Sequence, residues 1–76
     1  MARVKTLKIA AEMVANILEI PVAVGTRVEV GDTVALLESM KMEIPVLAET
    51  AGVITEVVAE PGDVVQEGDV LVVLEG

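Results

Sequence analysis

Lys41 is the side chain in this sequence that is best placed to do chemistry. It lies between two methionines in the hexapeptide Glu38-Ser39-Met40-Lys41-Met42-Glu43, and it is the last basic residue, with no Lys or Arg from Met42 to Gly76. The chain has no cysteine and no histidine. Disulfides, thiol chemistry and the common zinc sites are therefore excluded. So are the usual general bases and nucleophile–base pairs. The carboxylates are scattered singly, without a clustered pair. The two thioethers beside Lys41 make a poor metal site, since no His or Cys accompanies them.

The elements that hold Lys41 are readable on either side of it. Val34-Ala35-Leu36-Leu37 precedes the hexapeptide and Ile44-Pro45-Val46-Leu47 follows it. Two strand-like runs separated by this short polar break read as a hairpin. Its tip is exposed, so Lys41 is expected to project into water. A solvated turn lysine is the plain alternative. The methionines count against it, because exposed apolar side chains add nothing to solubility and Met suits recognition by partners. Glu38 and Glu43 flank the turn as solvating charges. Pro45 within its run implies an edge strand or a bulge.

The 76 residues are enough for one small domain, residues 1–76. The formal charge of −8 argues against nucleic acid or an anionic membrane as partner. Apolar residues make up 54% of the chain, yet there is no Phe, Tyr or Trp, so Val, Ile, Leu, Ala and Met must form the core. A β-branched core favours strands. No apolar run approaches the ~20 residues of a membrane span. The first apolar stretch is broken by Lys8 and Glu12 and lacks a signal-peptide pattern. A cytoplasmic monomer is the default expectation.

Residues 7–18 are ambiguous. Leu7, Ala10, Ala11, Val14, Ile17 and Leu18 recur at helical spacing among good helix formers. An internal repeat settles the choice. Shifted by 37 positions, Gly25 falls on Gly62, Gly31-Asp32 on Gly68-Asp69, and Leu36-Leu37-Glu38 on Val73-Leu74-Glu75. Residues 5–39 and 42–76 are two copies of one unit. The second copy is plainly β: Val53–Val58 and Val70–Leu74 are β-branched or buried-strand runs bounded by glycine and proline turns.

Strands are accordingly expected near 5–9, 15–22, 28–30, 34–38, 42–47, 52–59, 64–66 and 70–75, and no helix at 10–19. The first five residues read as frayed. Asp32, Asp63 and Asp69 read as turn formers, and Met13 as a core residue. Two units related by a pseudo-two-fold axis can stack as two sheets over one interior. The mate of the Lys41 turn is then the chain end.

The hexapeptide closely resembles the biotin-attachment motif of biotinyl domains, the biotin carboxyl carrier modules of biotin-dependent carboxylases. Met-Lys-Met alone is a three-residue match. Here it is joined by the two-copy β organisation, the Gly-Asp turns of both halves and a chain of one domain's length. The resemblance runs from about residue 7 to 75 and is strongest to small free-standing biotinyl proteins. It implies an all-β fold: a flattened eight-stranded barrel or sandwich of two four-stranded antiparallel sheets. Many relatives show Pro-Met-x-Gly where this chain has Glu12-Met13-Val14-Ala15. Residues 20–34 are too short for the protruding "thumb" of some bacterial relatives.

What the resemblance implies is a carrier and not an enzyme. A biotin protein ligase would activate biotin as its adenylate, and Lys41 would take it in amide linkage. Met40 and Met42 match the methionines through which partner enzymes recognise the hairpin, with Glu38 and Glu43 beside them. A biotin carboxylase would load a carboxyl group onto biotin, and a carboxyltransferase would pass it on. Two other classes stay open. One is a lipoyl carrier, although that family usually shows Asp-Lys-Ala at its lysine. The other is an unmodified interaction module using the Met-rich tip.

Overall fold

The computed structural model describes residues 5–76, and within them every regular element is a strand. In chain order they are β1 (Thr6–Ala10), β2 (Ala15–Glu19), β3 (Arg27–Val28), β4 (Thr33–Ser39), β5 (Met42–Leu47), β6 (Gly52–Val57), β7 (Val64–Val65) and β8 (Val70–Glu75). The helical spacing of residues 7–18 is overridden. Ala15 and Ile17 turn into the core while Asn16 and Leu18 face outward, which is the alternation of a strand. Met13 is half-buried against that core, as expected.

Four strands form each sheet, in the orders β1-β8-β6-β3 and β5-β4-β2-β7, and every pairing is antiparallel. Moving 37 positions along the chain turns one order into the other. The halves interleave: each sheet takes two strands from each copy of the repeat, so neither copy forms a sheet by itself. β1 and β5 are outer strands of different sheets, and Pro45 lies on the outer strand β5, where its missing N–H costs no central ladder bond.

The core follows the same symmetry. Ile17, Leu37, Ala35 and Val65 pack in one cluster, and Ile54, Leu74, Val72 and Val28 pack in the other. Each of these residues in one cluster has its mate in the other, 37 positions away.

Four tight turns fasten the sheets together. Gly25, Gly31, Gly62 and Gly68 all have φ between 92° and 94°. Each is the third residue of a turn closed by a backbone hydrogen bond: Thr26 N–H to Ala23 O, Asp32 to Glu29, Asp63 to Glu60 and Asp69 to Gln66. This is type II geometry, in which the third residue needs positive φ. The fourth residue's side chain also accepts a bond from the first residue's N–H. The Oδ2 atoms of Asp32, Asp63 and Asp69 take those of Glu29, Glu60 and Gln66 at 2.8, 3.0 and 2.9 Å, and Thr26 Oγ1 takes that of Ala23 at 3.1 Å. The three aspartates are turn formers as their positions implied. The glycine N–H groups then bond across to Ile54, Ala48, Ile17 and Ala11.

Several boundaries differ from the sequence reading. β2 stops at Glu19 and not at residue 22, just short of Pro21, which has no N–H to offer a ladder. β3 and β7 are two residues each because type II turns follow almost at once. β6 ends at Val57, where the N–H groups of Val58 and Ala59 both donate to the Leu71 carbonyl. Of the five residues read as frayed, 1–4 lie outside the described residues. Lys5 is ordered by Gly76: its N–H donates to the Gly76 oxygen at 3.1 Å, and the Gly76 N–H donates back at 3.0 Å.

Candidate functional site

From Ala35 to Ser39, β4 runs beside β5 as a regular ladder that pairs Leu37 with Ile44, Glu38 with Glu43, and Ser39 with Met42. Only Met40 and Lys41 remain to turn the chain. The two apolar runs leave a break of six residues, 38–43. The ladder continues through Glu38, Ser39, Met42 and Glu43, and the turn has two.

The turn is strained. Met40 has φ 52° and Lys41 has φ 65°, and no other non-glycine residue among those described has positive φ. Positive φ at both central residues is the pattern of a type I′ hairpin turn, whose twist suits the flanking strands. Its usual residues are Asn and Gly. A residue with a Cβ held in this region costs roughly 1–2 kcal/mol. The ladder below holds it there. Leu37 is buried at 1% exposure and Ile44 packs on the same cluster, so the stem is anchored in the core a few residues beneath the turn.

Beyond that anchor the hairpin stands in water. Met40 is 91% exposed and Met42 64%. Lys41 and Glu43 are exposed and Glu38 is half-buried. Two residues apart on a strand, Met42 and Ile44 share a face, so the apolar face of β5 continues past the core and ends at the turn. The ion pair found among the described residues, Arg27 Nε to Glu29 Oε2 at 2.9 Å, lies elsewhere. No side-chain hydrogen bond or ion pair among the described residues engages Lys41.

The five residues singled out in the sequence therefore meet in one place. Ser39 was not among them, yet it closes the ladder opposite Met42. Its signal was weak: a serine beside a polar break reads as loop. Nor do the described residues bring three His, Cys, Asp or Glu side chains together in a metal-binding group. The arrangement can present one primary amine and two thioethers, on a rigid stem, to a surface outside the molecule.

The symmetry locates the opposite end. Shifting Ser39 and Met42 by 37 positions leads to Gly76 and Lys5, which are paired by two backbone hydrogen bonds. The Met40-Lys41 turn and the join of the first and last strands are thus equivalent places in the two halves. Only one of them is bridged by chain.

Residues 3–74 match the family described as "Biotin-requiring enzyme". A biotinylated protein TB7.3 homolog of Mycobacterium leprae is 50% identical over 66 residues, covering 87% of this chain and 93% of that protein. The biotin/lipoyl attachment protein of Bacillus subtilis is 44% identical over 68 residues, covering 90% and 93%. A solved single-chain, multi-domain long-chain acyl-CoA carboxylase superposes with a TM-score of 0.85 at 29% identity. That match covers 90% of this chain but 7% of the carboxylase.

Proposed function

This chain belongs to the biotin/lipoyl attachment family, and from that premise we propose that it is a biotin carrier with Lys41 as the attachment residue. The observation that carries the proposal is the two-residue turn: a single exposed amine held at the end of a core-anchored hairpin, between two exposed methionines. These residues fit the group. Covalent attachment needs an amine that a second enzyme can enclose, and nothing among the described residues covers Lys41 or pairs with it.

In the proposed mechanism Lys41 Nζ, after losing a proton, attacks the carbonyl carbon of an adenylated biotin supplied by a biotin protein ligase. The amide bond forms and AMP leaves. No side-chain hydrogen bond or ion pair among the described residues links Lys41 to a proton acceptor. The ligase must therefore supply both the activated acyl group and the proton acceptor. Met40 and Met42 offer apolar, adaptable contacts to the enclosing partner. The stem holds the backbone of the Met40-Lys41 turn at the end of the β4–β5 ladder. When bound, biotin supplies a ureido nitrogen that can hold a carboxyl group between a biotin carboxylase and a carboxyltransferase. This domain contributes presentation and docking to that transfer.

The test is intact-mass analysis after incubation with a biotin protein ligase, biotin and ATP. One biotinyl group is expected on the wild-type chain and none on Lys41→Arg, which keeps a cation but loses the amine. No addition, or an addition that survives the substitution, overturns the proposal. The lipoyl reading is examined in the same format with a lipoate ligase. The methionines beside the lysine favour biotin.

A further inference from the structure

Four methionines are present, and the described ones sit in two different environments. Met13 is half-buried against the core cluster. Met40 and Met42 are 91% and 64% exposed and flank the attachment lysine. Met40 sits at φ 52°, on a turn held open by the Ser39–Met42 pair, so it has no core to fold back against. A thioether in water is open to two-electron oxidants, and oxidation turns a flexible apolar side chain into a polar one.

We propose that Met40 and Met42 form a reversible oxidation site, at which a hydroperoxide slows enzymatic loading of Lys41. This rests on the biotin-carrier reading. Each thioether sulfur attacks the terminal oxygen of the hydroperoxide and the O–O bond breaks. Sulfur gains one oxygen and is oxidised by two electrons. The hydroperoxide is reduced to water or an alcohol. The fold is untouched, because neither side chain supports the core. The partner is affected: a socket shaped for a thioether must now desolvate a sulfoxide oxygen without offering it a donor. Leaving such a polar group unpaired on binding lowers loading about tenfold.

The oxidation is reversed by a second enzyme, which supplies the two electrons and releases the oxygen as water. Methionine sulfoxide is a substrate for reductases that act on exposed residues, and the same exposure that admits the oxidant admits them. The two most exposed thioethers among the described residues border the reactive lysine, while Met13 is half-buried against the core. The switch therefore acts on loading and leaves stability alone.

The experiment exposes the full-length carrier to graded hydrogen peroxide, removes the peroxide, and then adds ligase, biotin and ATP. Site-resolved mass spectrometry follows each methionine, and biotin transfer to Lys41 gives the rate. Met40 and Met42 are expected to oxidise before Met13. Loading falls about tenfold with an unchanged unfolding midpoint, and methionine sulfoxide reductases restore it. Met13→Leu should keep the full peroxide response. In Met40→Leu/Met42→Leu the ratio of treated to untreated rates should stay near one, whatever the untreated rate. Equal loading of oxidised and untreated wild-type protein overturns the inference, as does a peroxide response that survives the double substitution. Failure of the untreated wild-type chain to be loaded overturns instead the reading on which it rests.

Discussion

Glu38 and Glu43 stand directly opposite one another across β4 and β5, one step below Ser39 and Met42 and two below the Met40-Lys41 turn. Two like charges at facing positions of an antiparallel pair repel, at a cost of roughly 0.2–1 kcal/mol. Glu43→Gln removes that repulsion. It is expected to raise the unfolding free energy by a few tenths of a kcal/mol at low salt, and by less at high ionic strength, where the interaction is screened. Urea titrations at two salt concentrations measure both effects. A loss of stability in Glu43→Gln would mean that the carboxylate makes a favourable contact instead.

The turn above that pair can be relaxed in the same way. Met40 is a poor residue for φ 52°, and Asn is a good one. Met40→Asn should stabilise the domain by about 0.5–1 kcal/mol, a part of the αL cost. It should also slow biotin loading, because it removes an exposed thioether from the recognised tip. Opposite changes in stability and loading would show that the strained turn is retained for function. Thermal unfolding and the ligase assay, run on one preparation, give the two numbers.

The repeat was legible because turn chemistry is local. Each type II turn needs a glycine at positive φ and a side-chain acceptor after it, and Gly31-Asp32, Gly62-Asp63 and Gly68-Asp69 declare both in sequence. The hairpin was legible because two apolar runs flank one polar break. The width of the turn was not, since Met40-Lys41 lacks the Asn or Gly that marks a type I′ turn, and its geometry is imposed by the ladder from Leu37 to Ser39. The interleaving of the halves was also hidden. Alternating burial tells which face of a strand points inward, but β6 pairs with β3 and β8 through register, and no residue announces its neighbour. Function depended on residue types: a lysine between methionines is visible whatever the fold.

Gly52 marks a place where the two halves are not interchangeable. Its mate, Ala15, carries a Cβ and is buried. A Cβ on Gly52 would fall 2.5 Å from the Glu75 carbonyl oxygen and 2.7 Å from Leu74 Cδ1. Backbone cannot yield as a side-chain end can. Gly52→Ala is therefore expected to cost about 1–3 kcal/mol, as overpacking does in other cores. Urea unfolding of Gly52→Ala beside wild type tests it. An unchanged midpoint would show that β6 and β8 can slide apart at no cost.

The division of labour between stem and tip gives the sharpest contrast. Leu37 is buried and Met40 and Met42 are not, although all three lie within six residues. Leu37→Ala removes core packing and is expected to cost about 2–5 kcal/mol, a large fraction of the stability of a domain this small. Met40→Ala/Met42→Ala removes no core contact, so its unfolding free energy should stay within about 0.5 kcal/mol of wild type. Loading of Lys41 should respond in the reverse way. The methionine variant stays folded but is a poor ligase substrate, because its amine is presented without the contacts that flank it. The leucine variant, assayed in osmolyte at a temperature where it is still folded, should be loaded at close to the wild-type rate, since its tip is intact. Unfolding curves and initial rates of biotin transfer on the two variants decide the matter. If the methionine variant loses stability, the tip is part of the core. If it is loaded normally, the lysine alone is what the partner reads.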